Sequence, residues 1–191
     1  MKYPEYLNCA IKHASSCAYL FELYRNNHSS KVQEDVFLDL YYLLGYVIEG
    51  VTIYSAYKIY NWPENQDIQN CNTMFTLQTN IDFYHNRLSK PTNQPVFAAG
   101  VVKYSVQGHC FEQIVKGLLQ KEPVFNDFPY FGNGAIDPNT ENLINKWKPE
   151  TRYSYKTQSL YKQNLSNLLT ESNIYNLIRT CIDIIQKTSI I

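Results

Sequence analysis

The sequence predicts an all-α fold, an up-down bundle of four to five main helices with a loop-rich insertion over 62–100. Three observations predict it. Apolar residues recur at helical spacing near both ends of the chain. A proline-free run from Lys31 to Tyr60 is apolar on nearly every side, the pattern of a helix buried among others. The composition is 45% hydrophobic with 17 tyrosines, whose rings pack while their hydroxyls reach water, which suits many half-buried positions. A length of 191 residues suits one substantial core, so 1–191 is read as a single domain.

The first helix runs from Pro4 to about Asn26, with Leu7, Ala10, Ile11, Ala14, Cys17, Ala18, Phe21 and Tyr24 on its apolar face. Ser30 with Gln33 fits a capping box that opens the second helix. Asn61-Trp62-Pro63 closes that helix, and the short connection makes the pair an antiparallel hairpin. The stretch 41–57 contains Glu49 and five tyrosines, and reads as too short and too polar to span a bilayer. The insertion holds Asn, Gln and Thr clusters with Pro91 and Pro95, and one helix is expected near 78–89. Order is expected to return near Val96, and 105–123 reads as a third helix stopped by Pro123. Asp137-Pro138 is an N-cap followed by a first-turn proline, predicting a short helix to about Trp147. The apolar residues Leu165, Leu168, Leu169, Ile174, Leu177, Ile178, Cys181, Ile182 and Ile185 predict a final helical region over 160–188, either one helix or two broken near Ser172.

Charge is balanced at 17 basic against 17 acidic residues, which excludes a global pull toward nucleic acid or membrane and requires any such pull to be local. Cys9, Cys17, Cys71, Cys110 and Cys181 show no two-residue spacing, and Cys9 and Cys17 lie two helical turns apart. They read as reduced, mostly packed thiols, and the opening MKYPEYLNC lacks the apolar run of a signal peptide, so a cytoplasmic location is expected. No two histidines stand at i, i+4, and no metal or cofactor is expected. His13 borders the apolar face as a packing residue, His28 lies in a turn, and His85 takes no role. His109, after Gly108, opens a helical run where its ring could project toward a groove. Gly132-Asn133-Gly134 is a tight turn, with no preceding strand and no Gly-Lys-Ser/Thr to make it a phosphate loop. The esterase elbow, the zinc-protease helix and the paired-aspartate pattern are all missing from the sequence.

The stretch 146-KWKPETRYSYK-156 is the main functional candidate. Between 143 and 163, Lys146, Lys148, Arg152, Lys156 and Lys162 face only Glu150, with Trp147, Tyr153, Tyr155 and Tyr161 interleaved. Cations that neutralise phosphate beside rings that stack on bases are what single-stranded nucleic acid recognition uses. A solvated connector whose aromatics cap the bundle has the same composition.

In order along the chain, the A-x-x-H-A-x-x-x-A helix, the apolar 36-VFLDLYYLLGYVIEGVTIYSAYKIYN-61, the run 108-GHCFEQIVKGLL-119 and the 152-RYSY-155 element before a closing helix resemble HEPN domains. The resemblance implies a dimeric bundle of four or five helices, and in many members a metal-independent ribonuclease with Arg and His four to six residues apart. That motif is missing here: Thr157, Gln158 and Ser159 follow Arg152 at the required distance, and no histidine lies beyond His109. Family members without the motif resemble binding modules that hold a nucleotide or pair with a nucleotidyltransferase. The expected function is therefore a non-catalytic module, homodimeric through an apolar bundle face. It would bind nucleotide, RNA or a partner protein through Lys146, Lys148, Arg152, Tyr153, Lys156 and His109, in a toxin–antitoxin or nucleotidyltransferase-linked setting. Two alternatives stand beside it: a ribonuclease with a rearranged His109/Arg152 site, and a structural interaction protein with no nucleic-acid role.

Overall fold

A computed structural model describes residues 1–26, 33–59, 61–68, 74–76, 81–84, 96–98, 101–105, 136–149, 151 and 165–189. Four helices dominate them: α1 (Pro4–Asn26), α2 (Gln33–Ile59), α3 (Pro138–Lys146) and α4 (Glu171–Thr188). The helical reading of the chain holds for this bundle.

α1 opens with a proline in its first turn, and the Glu5 carboxylate accepts from the Lys2 backbone N–H at 3.0 Å. Its buried stripe, Ala10, Ala14, Cys17 and Phe21, faces α2. The two helices run antiparallel, with Tyr3 against Tyr54 and Tyr57 at one end and Tyr24 against Phe37 at the other. They approach closely because small residues line the seam: a Cβ added at Gly50 would stand 2.8 Å from the Tyr6 carbonyl oxygen and 3.2 Å from the Ala10 Cβ.

α2 is the central rod. Leu40, Tyr41, Leu44, Val47, Ile48 and Val51 are buried, together with the α4 face formed by Ile174, Leu177, Ile178, Cys181 and Ile184. The Cys17 thiol donates to the Leu40 carbonyl and the Cys181 thiol to the Leu44 carbonyl, each at 3.9 Å. Burial pushes the Cys17 thiol up to about 12 and raises Cys181 further, so both stay protonated. The span Val36–Lys58 is long and apolar enough to cross a membrane, unlike the shorter 41–57 weighed on sequence, yet most of it is buried inside the bundle, and core helices have this composition too.

The end of α2 follows the sequence. Asn61 has φ 53°, its N–H donates to the Lys58 carbonyl, and the Trp62 N–H donates to the Tyr57 carbonyl. This is the pair of reverse bonds that ends a helix on a left-handed residue, a conformation asparagine tolerates. The chain then returns to the N-terminus. The Ile68 N–H donates to the Met1 carbonyl, and the Met1 ammonium meets Asp67 at 2.7 Å.

α3 is the short helix predicted from Asp137-Pro138. The Asp137 carboxylate accepts from the backbone N–H groups of Asn139 and Thr140, both at 3.1 Å, and from the Thr140 hydroxyl. Asp137→Ala is expected to cost about 0.5–2 kcal/mol, read as a lower urea midpoint with unchanged slope. In the described part of the final region, Leu165 is helical, the chain turns at 166–168 and α4 begins at Glu171, so the break expected near Ser172 falls just before it. Thr170 caps α4 by accepting from the Asn173 N–H at 3.2 Å, and the Asn173 amide donates to the Leu168 carbonyl at 2.9 Å.

The interval 62–100 departs from expectation. In place of a helix near 78–89 the chain forms strand β2 (Ile81–Tyr84), one of four with β1 (Met74–Thr76), β3 (Val96–Ala98) and β4 (Val101–Ser105). The order is β1-β2-β4-β3, with β2 and β4 parallel and both outer pairs antiparallel. Each segment is a short run rich in β-branched and aromatic residues, such as Ile-Asp-Phe-Tyr, too brief for a helical period and suited to a pleated surface. Ser105, expected to open a third helix, ends β4 instead. The remainder of that expected helix, 106–123, lies outside the described residues, as do Ser30, His28, His85 and Gly132-Asn133-Gly134.

Candidate functional site

The described part of the basic stretch is Lys146 to Pro149 with Thr151. Its organising residue is Trp147. α3 ends there, because Trp147 leaves helical geometry at φ −67° and ψ 138° while its N–H still donates to the Ile144 carbonyl at 3.2 Å. The indole turns inward and is only 2% exposed. Its Nε1–H donates to the Tyr42 carbonyl at 3.1 Å, and its ring meets Tyr46 edge-on at 5.1 Å. It packs against Gly45, where any Cβ would overlap the indole. Beside it the Tyr41 hydroxyl donates to the Leu143 carbonyl at 2.8 Å, fixing α3 to α2.

The consequence for the site is directional. With Trp147 pointing inward in extended backbone, its neighbours Lys146 and Lys148 are both exposed. Lys146 also sits in the last turn of α3, where the helix dipole favours a cation. Trp147, counted on sequence among the rings interleaved with the basic residues, is buried packing and cannot stack on a base. Of the other expected site residues, His109, Arg152, Tyr153 and Lys156 lie outside the described residues, as do Tyr155, Tyr161 and Lys162.

Three further groupings emerge that the sequence reading did not name. Between the end of α1 and the start of α4 lies a groove of about 420 Å³ lined by Phe21, Arg25, Glu171, Ser172 and Tyr175. Arg25 approaches Glu171 at 3.6 Å, and Tyr175 is engaged by Phe21 at 5.9 Å and by the Arg179 guanidinium at 5.8 Å.

The second grouping joins the chain start to the end of α2. The Lys58 ammonium lies 3.1 Å from the Glu64 carboxylate, which also accepts from the Tyr3 hydroxyl at 3.3 Å. The hydrogen bond to Glu64 holds Lys58 above its ordinary value of 10.5, the same bond holds Glu64 below 4.5, and burial raises Tyr3 above 10.0. The signs set a pH window. Stability from Lys58 and from the neutral Tyr3 phenol is complete below their unfolded values and is lost as pH rises past about 10. The Glu64 contribution is complete above its unfolded value and is lost as pH falls through its lowered one. Urea midpoints should therefore be flat near neutrality and fall on both sides, and Glu64→Gln should flatten the acid limb. An acid limb equally steep in that variant would remove Glu64 as its source.

The third grouping is Cys9 and His13, one helical turn apart on α1. The Cys9 sulfur is exposed and 3.9 Å from His13 Nε2. His13 is half-buried against Tyr46, with ring centroids 6.2 Å apart. Burial and then the Lys12 charge lower its pKa below 6.5. The spacing Cys-x-x-x-His is plain in the sequence. Exposure also separates Cys9 from the packed thiols expected of the chain.

No family model, no curated protein and no solved structure matches this chain.

Proposed function

We propose that the chain is a non-catalytic, HEPN-like helical module that binds RNA or a nucleotide through the basic surface beginning at Lys146 and Lys148, and that it works as a homodimer. One observation carries the reading: the buried Trp147 clamps the start of the basic stretch to α2, so two lysines are held outward on a rigid base. A fixed base lowers the entropy lost when side chains order on a ligand. The order of sequence elements resembling HEPN domains supports the same reading, as does the lack of an Arg-x4-6-His pair after Arg152. Arg152, Tyr153, Lys156 and His109 are the further contacts this proposal assigns.

The test is fluorescence anisotropy with a labelled single-stranded RNA over a salt series. Binding should weaken steeply with salt, because phosphate contacts release counterions. Lys146→Ala with Lys148→Ala should flatten the slope of log affinity against log salt by about 1.4, two contacts at roughly 0.7 each. Affinity that ignores salt, or a double variant indistinguishable from wild type, would sink the reading. Cleavage of the RNA abolished by His109→Ala would instead establish the ribonuclease.

A further inference from the structure

Tyr42 and Tyr46 stand four residues apart on α2, so their side chains lie one above the other on one face of that helix. Both are half-buried, while Tyr41 and Leu44 beside them are buried. The two rings meet edge to face, with centroids 5.0 Å apart and planes 88° apart, and their hydroxyls share a hydrogen bond of 3.0 Å. The pair is tied to the base of the basic stretch at two points. The Trp147 indole N–H donates to the Tyr42 carbonyl at 3.1 Å, and the Tyr46 ring meets the indole at 5.1 Å. Lys146 and Lys148, exposed on either side of that tryptophan in the chain, are thereby held near the tyrosine pair.

The two rings differ in what surrounds them. Tyr46 is boxed in by Tyr42, by Trp147 and by His13, whose ring centroid is 6.2 Å away. Tyr42 meets one ring among the described residues, that of Tyr46. A perpendicular contact engages the edge of one ring and the face of the other, so at least one face of Tyr42 is not spent on Tyr46. Stacking on a base uses such a face. The hydroxyl bond already holds the ring at a fixed angle, so little rotamer freedom is left to lose when a base stacks on it. Asp39, one turn before Tyr42, is exposed and acidic. A carboxylate at that edge repels phosphate, so the ledge suits an uncharged base while the lysines take the backbone.

We propose that Tyr42 is the stacking platform for an unpaired base of single-stranded RNA whose phosphates sit on Lys146 and Lys148, with Tyr46 as the positioning residue that sets the angle of its ring. The platform rests on the RNA-binding reading above and adds a base contact to it, in the stacking role that the buried Trp147 cannot fill.

The experiment is an anisotropy titration of the full chain, run with a labelled single-stranded RNA and with the same strand carrying abasic sites. Tyr42→Ala should weaken binding of the intact strand by about 5–150-fold, the range for removing one stacking ring. The slope of log affinity against log salt should stay at its wild-type value, because stacking releases no counterions. Tyr42→Phe keeps the ring and should retain most of the affinity. Tyr42→Leu keeps apolar volume without the ring and should lose as much as Tyr42→Ala. On the abasic strand wild type and Tyr42→Ala should bind alike. Circular dichroism and a urea midpoint on each variant separate lost binding from lost fold. Wild-type affinity of Tyr42→Ala and Tyr42→Leu for the intact strand, or the same loss on the abasic strand, overturns the platform. A lysine double variant that flattens the salt slope beside a neutral Tyr42→Ala removes the platform alone and leaves the basic surface standing. Wild-type protein that binds neither strand overturns the RNA-binding reading and the platform with it.

Discussion

Trp147→Ala should lower the stability of the protein by about 3–5 kcal/mol, the range for truncating a buried tryptophan, and its melting temperature by roughly 10 °C for a chain of this size. The effect has three parts. The indole leaves a cavity among α2, α3 and α4, beside a small pocket of about 10 Å³ already lined by Tyr41, Leu44, Ile144 and Leu177. The Tyr42 carbonyl loses the indole donor, and Tyr46 loses its edge contact. Trp147→Phe refills much of the space without the N–H, so it should recover the greater part of the loss and leave a deficit near the roughly 0.5–1.5 kcal/mol of one net hydrogen bond, because the Tyr42 carbonyl keeps its partner within α2. Urea unfolding followed by circular dichroism checks both. A Trp147→Ala protein within about 1 kcal/mol of wild type, far below the cost of a core cavity, would mean the indole is not packed on α2, and the basic surface would lose its rigid base. On the proposed reading the same variant also weakens RNA binding, although the indole itself touches no ligand.

Gly45→Val should destabilise by about 1–3 kcal/mol or more, from the other side of the same contact. Glycine inside a helix costs about 1 kcal/mol relative to alanine, so on propensity alone any side chain at 45 should help α2. The structure reverses that sign. A Cβ at Gly45 overlaps Trp147, and the neighbour is a rigid ring already anchored by a hydrogen bond, so it has little room to yield. A double-mutant cycle isolates the clash. With Trp147 already alanine the valine has space, so the two losses should fall short of additive by about 0.5–3 kcal/mol. Strict additivity would place the cost of Gly45→Val elsewhere in α2.

What was legible follows from the physics of each element. α1, α2 and α3 carry their own local instructions: a 3.6 period in Ala10, Ala14, Cys17 and Phe21, an all-round apolar run, and the Asp137-Pro138 start. The break before α4 was legible only as an ambiguity, because Thr170 as a cap competes with the unbroken apolar spacing of Leu165, Leu168 and Leu169. The strands were not legible as a sheet. Runs of three to five residues carry too little period, and the parallel pairing of β2 with β4 is a long-range choice no local pattern records. At the site, the exposure of Lys146 and Lys148 could be guessed from charge, but the inward turn of Trp147 could not. It depends on Gly45, far earlier in the chain, whose missing side chain means nothing until α3 is laid across it.

Cys17 on α1 and Cys181 on α4 meet the same side of α2, their sulfurs against the carbonyls of Leu40 and Leu44 one helical turn apart, and each is held in the unreactive protonated form. An alkylating reagent can reach Cys17 only when α1 parts from α2, and Cys181 only when α4 does. Modification rates at these two sites, resolved by peptide mass, therefore report how α1 and α4 leave the seam they share on α2. Equal rates would mark a bundle that opens as one cooperative unit, and unequal rates would reveal which helix leaves first.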